Sequence, residues 1–120
     1  MVELWHAYKK GAASRGIEFH LSQERFKDLT SVPCHYCGSP PRVARWMRGK
    51  KMTEEGKRHS TYVSNGVDRV DSSLGYTEEN CVPCCKFCNY AKRALPVDVF
   101  IEWARQLVAY QDQKTVLTGA

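Results

Sequence analysis

No stretch of the chain approaches the roughly 18 consecutive apolar residues that a membrane span requires. The opening, MVELWHAYKKGAASRG, lacks the apolar core of a secretory signal. These absences point to an intracellular protein with no membrane partner. The chain is also short: 120 residues make one domain, with a modest core that a structural metal would supplement. Hydrophobic residues at 42% and charged residues at 26% are ordinary for a globular protein, which excludes disorder along the whole length. Net charge is small, +5, but unevenly placed. Residues 42–58, RVARWMRGKKMTEEGKR, carry seven Lys or Arg against two Glu, an excess equal to the charge of the whole protein. A basic run with an embedded Trp46 suits a phosphate backbone; the plainer alternative is a solvated loop that keeps the protein soluble.

Six cysteines could form disulfides in a short secreted chain. Without an export signal, Cys-x-x-Cys pairs favour zinc, because two intervening residues let one knuckle present both thiolates to a single ion. Cys34-His35-Tyr36-Cys37 is one such pair. Gly38 follows it and permits the positive backbone angle with which a zinc knuckle turns. His35 and Tyr36, inside the knuckle, are expected to point away from the metal.

In chain order, residues 3–15 place Leu4, Ala7, Tyr8, Gly11 and Ala12 at helical spacing. Residues 17–21 alternate as a short strand. Ser22 can cap a helix over residues 23–30 that turns Phe26 and Leu29 inward. This N-terminal element, residues 1–32, carries no evident chemistry. Residues 39–64 have no sustained period and read as a basic insertion, with His59 near its far end. After Pro96 a last helix is expected over about residues 97–112. Its stripe of Phe100, Trp103, Ala104, Leu107 and Val108 suits core packing, and the tail from Lys114 is expected to fray.

Residues 65–93, NGVDRVDSSLGYTEENCVPCCKFCNYAKR, organise the rest. Asn65-Gly66 is a turn signal, Val67 and Val70 flank Asp68 in an extended segment, and Cys81-Val82-Pro83-Cys84 is a second short strand. A helix is expected from Asn89 to about Leu95. Both Cys81/Cys84 and Cys85/Cys88 have knuckle spacing, so spacing alone leaves the second half of the zinc site open between them.

The segment from Asp68 to Lys92 resembles the ββα-metal core of the HNH endonucleases, in the variety with two zinc knuckles. Its closing Cys-x-x-Cys-Asn is similar to the phage recombination endonuclease VII group. The resemblance covers about residues 33–95. It implies an α+β fold with flanking N- and C-terminal helices, and structural Zn²⁺ on Cys34, Cys37, Cys85 and Cys88, with Cys81 and Cys84 as small buried residues. It also implies a metal-dependent endonuclease acting on DNA, through Mg²⁺ or Mn²⁺ held by Asp68 and Asn89; the choice between DNA and RNA is left open by the sequence. Asn80 would brace the hairpin. Arg69, Lys92 and Arg93 would face phosphate, together with Arg45, Arg48, Lys50, Lys51 and Arg58 of the insertion.

One position departs from the resemblance. Arg69 stands where a histidine would deprotonate the attacking water, and a guanidinium stays protonated. Asp71 is the first substitute, His59 the second, and a cation acting without any protein base the third. The competing reading is a zinc-dependent nucleic-acid-binding module that has lost its base. A monomer would nick and a homodimer would cut both strands, and a partner could supply the target address.

Overall fold

The structure, a computed structural model, describes residues 2–43 and 63–118. The basic residues Arg45, Arg48, Lys50, Lys51 and Arg58, with Trp46 and His59, lie outside the described residues.

Helix α1, Val2–Ser14, and helix α2, Gln23–Thr30, form the N-terminal element. The expected cap is in place: Arg25 N–H donates to Ser22 Oγ at 3.0 Å, which satisfies one of the amides a helix start leaves unpaired. Between them, residues 17–21 form no full strand. Only an isolated parallel bridge between Phe19 and Tyr76 is made, because residues flanking Tyr76 leave the segment a single place to pair: Tyr76 N–H donates to Glu18 O (2.9 Å) and His20 N–H to Tyr76 O (2.8 Å).

Strands β1, Arg42–Val43, and β2, Val63–Ser64, pair antiparallel and bracket residues 44–62. Strands β3, Gly66–Arg69, and β4, Cys81–Cys84, form the hairpin at the centre, with Gly66 opposite Cys84 and Asp68 opposite Val82. Pro83 is tolerated in β4 because its position opposite Val67 asks nothing of the missing N–H. Val67 N–H instead donates outward to Tyr8 Oη at 3.1 Å, and Pro83 O accepts from His35 N–H at 2.8 Å. Gly66 is required by a close approach: a Cβ there would lie 2.5 Å from the Tyr8 hydroxyl and 3.3 Å from the Cys84 carbonyl.

Helix α3, Lys86–Lys92, follows β4 directly. It begins three residues before the expected start, since Cys85 serves as its N-cap and accepts from Cys88 N–H. Helix α4 runs Val97–Thr118, beyond the expected end near Asp112 and through the tail that was expected to fray.

The core gathers Ala12, Leu21, Phe26, Leu29, Val67, Tyr76 and Cys81, with Leu4, Trp5, Tyr8, Ile17 and Phe19 packed against it. Its aromatics meet edge to face, Tyr8 on Phe26 with ring centroids 5.2 Å apart and Trp5 on Phe19 at 6.1 Å, an arrangement that ring quadrupoles favour. The stripe of α4 joins this body only in part. Phe100 is buried against the Tyr36 ring, whereas Trp103, Leu107 and Val108 are exposed.

Candidate active site

The first part of the site is a sulfur cluster. Sγ atoms of Cys34, Cys37, Cys85 and Cys88 all lie within 4.8 Å of one another, and those of Cys37 and Cys85 are 3.6 Å apart. Tetrahedral Zn–S bonds of ~2.3 Å put thiolates roughly 3.8 Å apart, so the group fits a four-thiolate zinc ion with no position left for water. Knuckle geometry places the donors. Gly38 takes φ +74° and donates its N–H to Cys34 O at 2.9 Å, while Cys88 N–H donates to Cys85 Sγ at 3.4 Å. Burial pushes the Cys85 and Cys88 thiols up. At Cys34 burial is outweighed by the backbone N–H groups of Cys37, Cys85 and Tyr36, which bring the thiol down to about 7 and favour the thiolate a metal needs. Cys81 and Cys84 face the interior. Burial raises Cys81 to about 11 and pushes Cys84 up as well, as befits small hydrophobic residues.

Asp68, on β3, is 6% exposed. Its Oδ2 accepts from Tyr36 Oη at 2.7 Å and lies 3.1 Å from Lys92 Nζ. Lys92 is 0% exposed, which corrects the expectation that it faces phosphate. At the last position of α3 its stem points inward, and the ammonium is satisfied by Asp68 and by Arg69 O at 3.4 Å. A buried ammonium needs such a partner. Tyr36 is held donating to the carboxylate, because burial and the bond to Asp68 push its phenol far above the ordinary value.

Asp68 and Asn89 line one cleft of about 530 Å³ with Arg15, Arg69, Arg93, Tyr8 and Tyr76. Arg69 is anchored rather than free. Its Nη1 donates to Ser72 O (2.9 Å) and Leu74 O (2.8 Å), and its guanidinium sits 5.2 Å over the Tyr76 ring. Arg93 ends α3 at φ +50°, a strained angle for a side chain with a Cβ, of the kind that clusters at functional sites. Arg15 went unnoticed in sequence. It reaches the cleft by donating to Tyr76 Oη at 3.3 Å, and nothing in its local pattern signals that contact across 61 positions.

Asn80 braces the hairpin. Its Oδ1 accepts from Asp71 N–H (2.9 Å), and its Nδ2 donates to Asp71 O (3.0 Å) and Gly75 O (2.9 Å). Asp71 is exposed, does not line the cleft, and caps a turn, accepting from Ser73 Oγ (2.6 Å) and Ser73 N–H (2.9 Å). These bonds hold its carboxyl below the usual range, so the structure gives Asp71 a turn-capping role in place of the base. No described histidine lines the cleft.

For a hard divalent cation the donor chemistry fits: a carboxylate and an amide oxygen that line the same cleft suit Mg²⁺ or Mn²⁺, and one oxygen of Asp68 is already engaged. No helix among the described residues is long and apolar enough to cross a membrane.

No family model matches the chain. An uncharacterized protein of Acanthamoeba polyphaga mimivirus is 31% identical over 103 residues, covering 86% of this chain; the chain spans only 16% of that protein's length. Among solved structures, the rare-cutting HNH restriction endonuclease PacI, described for its mechanism of DNA perturbation, matches with a TM-score of 0.62 at 19% identity, over 94% of this chain and 80% of that one. The chain therefore has the α+β fold of an HNH endonuclease, built around a four-cysteine group that fits zinc.

Proposed function

We propose that the protein is a metal-dependent endonuclease that hydrolyses DNA phosphodiester bonds. One observation carries this reading: Asp68 on β3 and Asn89 on α3 line one cleft with three arginines. Asp68 and Asn89 would hold Mg²⁺ or Mn²⁺, which when bound polarises the phosphate and stabilises the departing oxygen. Lys92 and Tyr36 hold the carboxylate through Oδ2, which would leave Oδ1 for the cation. Arg15 and Arg93 draw in the phosphate backbone, and Arg69, tied to the 72–74 loop, adds a fixed positive charge. Arg69 cannot take a proton. Deprotonation of the attacking water falls to His59, outside the described residues, or to a solvent base. A chain with one such cleft nicks; two chains acting together would cut both strands. The basic insertion, with Arg45, Arg48, Lys50, Lys51 and Arg58, would grip the duplex without reading sequence, leaving the target address to DNA structure or to a partner. The viral relative fits action inside a host cell.

The second reading, a nucleic-acid-binding module without catalysis, is favoured by the two partners already on Asp68 Oδ2 and by arginine in the histidine position. Zinc-loaded protein incubated with supercoiled plasmid, with and without Mg²⁺ or Mn²⁺, separates them. Metal-dependent conversion to open circles, abolished by Asp68→Ala, is the expected result. Plasmid that is retarded but uncut in every metal would establish the binding module instead.

A further inference from the structure

A second cavity, of about 280 Å³, is also lined by Asn89. Leu4, Tyr8 and Asn89 line both cavities, so the two are continuous along one wall. What distinguishes the second is its outer wall. Phe87 and Tyr90 stand three residues apart on α3, hence on one helix face, and they are 61% and 55% exposed. Arg42 and Lys86, both exposed, also line it. Gly66, Ser39 and Ser64 complete the lining.

Two adjacent aromatic rings on an exposed wall, beside cations, contribute little to a core, since Phe87 and Tyr90 keep more than half of their surface in solvent. They match the chemistry of a single-stranded nucleic acid: a planar base with a π-face to stack and a phosphate for a cation to hold. A paired base, stacked on both sides, cannot enter. The size, near the lower end of the ~300–1,000 Å³ range of small-ligand sites, suits one base rather than a folded partner.

We propose that this cavity takes one unpaired base of the DNA strand running through the adjoining cleft, stacked on Phe87 and Tyr90 with Arg42 and Lys86 on its flanking phosphates. The inference rests on DNA being the substrate, as proposed above. It adds a preference: the protein favours sites where a base is unpaired or easily unstacked, since extruding a paired base costs a few kcal/mol.

Binding without added divalent cation tests it independently of cleavage. The zinc-loaded full chain is titrated against a fluorescein-labelled single-stranded oligodeoxynucleotide, the matching duplex, and that duplex with one unpaired base, with anisotropy as the readout. Phe87→Ala and Tyr90→Ala should each weaken binding to the single strand and to the bulged duplex by roughly 5- to 100-fold, with binding to the perfect duplex within about twofold. Phe87→Trp should retain binding, because it keeps a stacking face. Both positions are exposed, and unchanged zinc content and circular dichroism would confirm an intact fold. Equal losses on all three DNAs, or none on any, would overturn the pocket. Wild-type cleavage of plasmid alongside unaffected variants would sink the pocket and leave the nuclease standing; no DNA binding by wild type would sink both.

Discussion

Two halves of this small protein are held together by different means. The N-terminal half closes around carbon: Phe26 and Ala12 are fully buried, and Leu21 and Leu29 nearly so, with the Tyr8 ring edge to face on Phe26. The half that carries the cleft has almost no such material. Between β3 and the end of α3 the buried side chains are Val67, Tyr76, three cysteines divided between core and cluster (Cys81, Cys84 and Cys85), and the polar groups of Asp68, Asn80 and Lys92. Burying apolar surface stabilises the first half at ~25 cal/mol per Å². In the second, a four-cysteine group that fits zinc and a few directional polar bonds stand in place of that term. The difference suits a site that must keep charged groups fixed while staying open to a charged ligand, since a dry apolar core could do neither.

Removing the metal ligands should break the comparison most sharply. In Cys85→Ser the zinc content should fall from about one ion per chain toward zero. The β3–β4–α3 unit should lose its fold, since structural zinc sites supply about 10–16 kcal/mol of apparent binding free energy that is also folding free energy. Cys81→Ser, four residues away in the same run of cysteines, should keep its zinc and cost only about 1–3 kcal/mol, for a hydroxyl in a core position. Metal analysis beside circular dichroism reads both, and the reverse pattern would overturn the assignment of ligands. Acidification should release the zinc in wild type, because protons compete for the thiolates.

A smaller effect is expected at the polar seam. Lys92→Met leaves the Asp68 carboxylate buried without its cation and should cost about 3–5 kcal/mol in urea unfolding. In an Asp68→Asn background the same change should cost much less, because the uncompensated charge is gone. Equal costs in the two backgrounds would show that Lys92 acts through packing alone.

Smallest of all is Asp71→Asn. With its carboxyl held below the ordinary value, Asp71 adds stability that is fully present above pH ~4 and lost as pH falls through its lowered value. It therefore stays ionised through the neutral range. An asparagine oxygen can still accept from Ser73, so stability at pH 7 should scarcely move, and the pH profile of plasmid nicking between pH 6 and 9 should keep its shape. A profile that changed would return Asp71 to the role of base.

How much of this was legible in sequence divides along the same line. The cap at Ser22, the inward Phe26 and Leu29 and the turn at Gly38 follow from local chemistry, in which a residue meets neighbours a few positions away, whereas the brace at Asn80 came with the resemblance. Knuckle spacing left two cysteine pairs open, and only the resemblance chose Cys85 and Cys88; the structure places them beside Cys34 and Cys37. Lys92 was misjudged because a lysine at a helix end ordinarily reaches water, and nothing nearby in sequence announces the buried carboxylate on a strand 24 residues earlier. Arg15 was missed for the same reason. The α4 stripe has the periodicity of a buried helix, but periodicity cannot tell how far a helix runs past the body it packs on; here burial ends soon after Phe100.

A sheet of two strands consists entirely of edges, and each edge is an open invitation for another extended chain to add itself. On β3 the outward amide of Val67 is occupied by the Tyr8 hydroxyl, whose proton burial retains by pushing the phenol up to about 12; on β4 the outward carbonyl of Pro83 is occupied by the knuckle amide of His35. One side chain from the first helix and one turn of the cysteine knuckle thus work as end-stops. They guard the central hairpin against self-assembly into longer sheets, and the glycine at 66 that makes way for the Tyr8 hydroxyl is as much a safeguard against such pairing as a matter of packing.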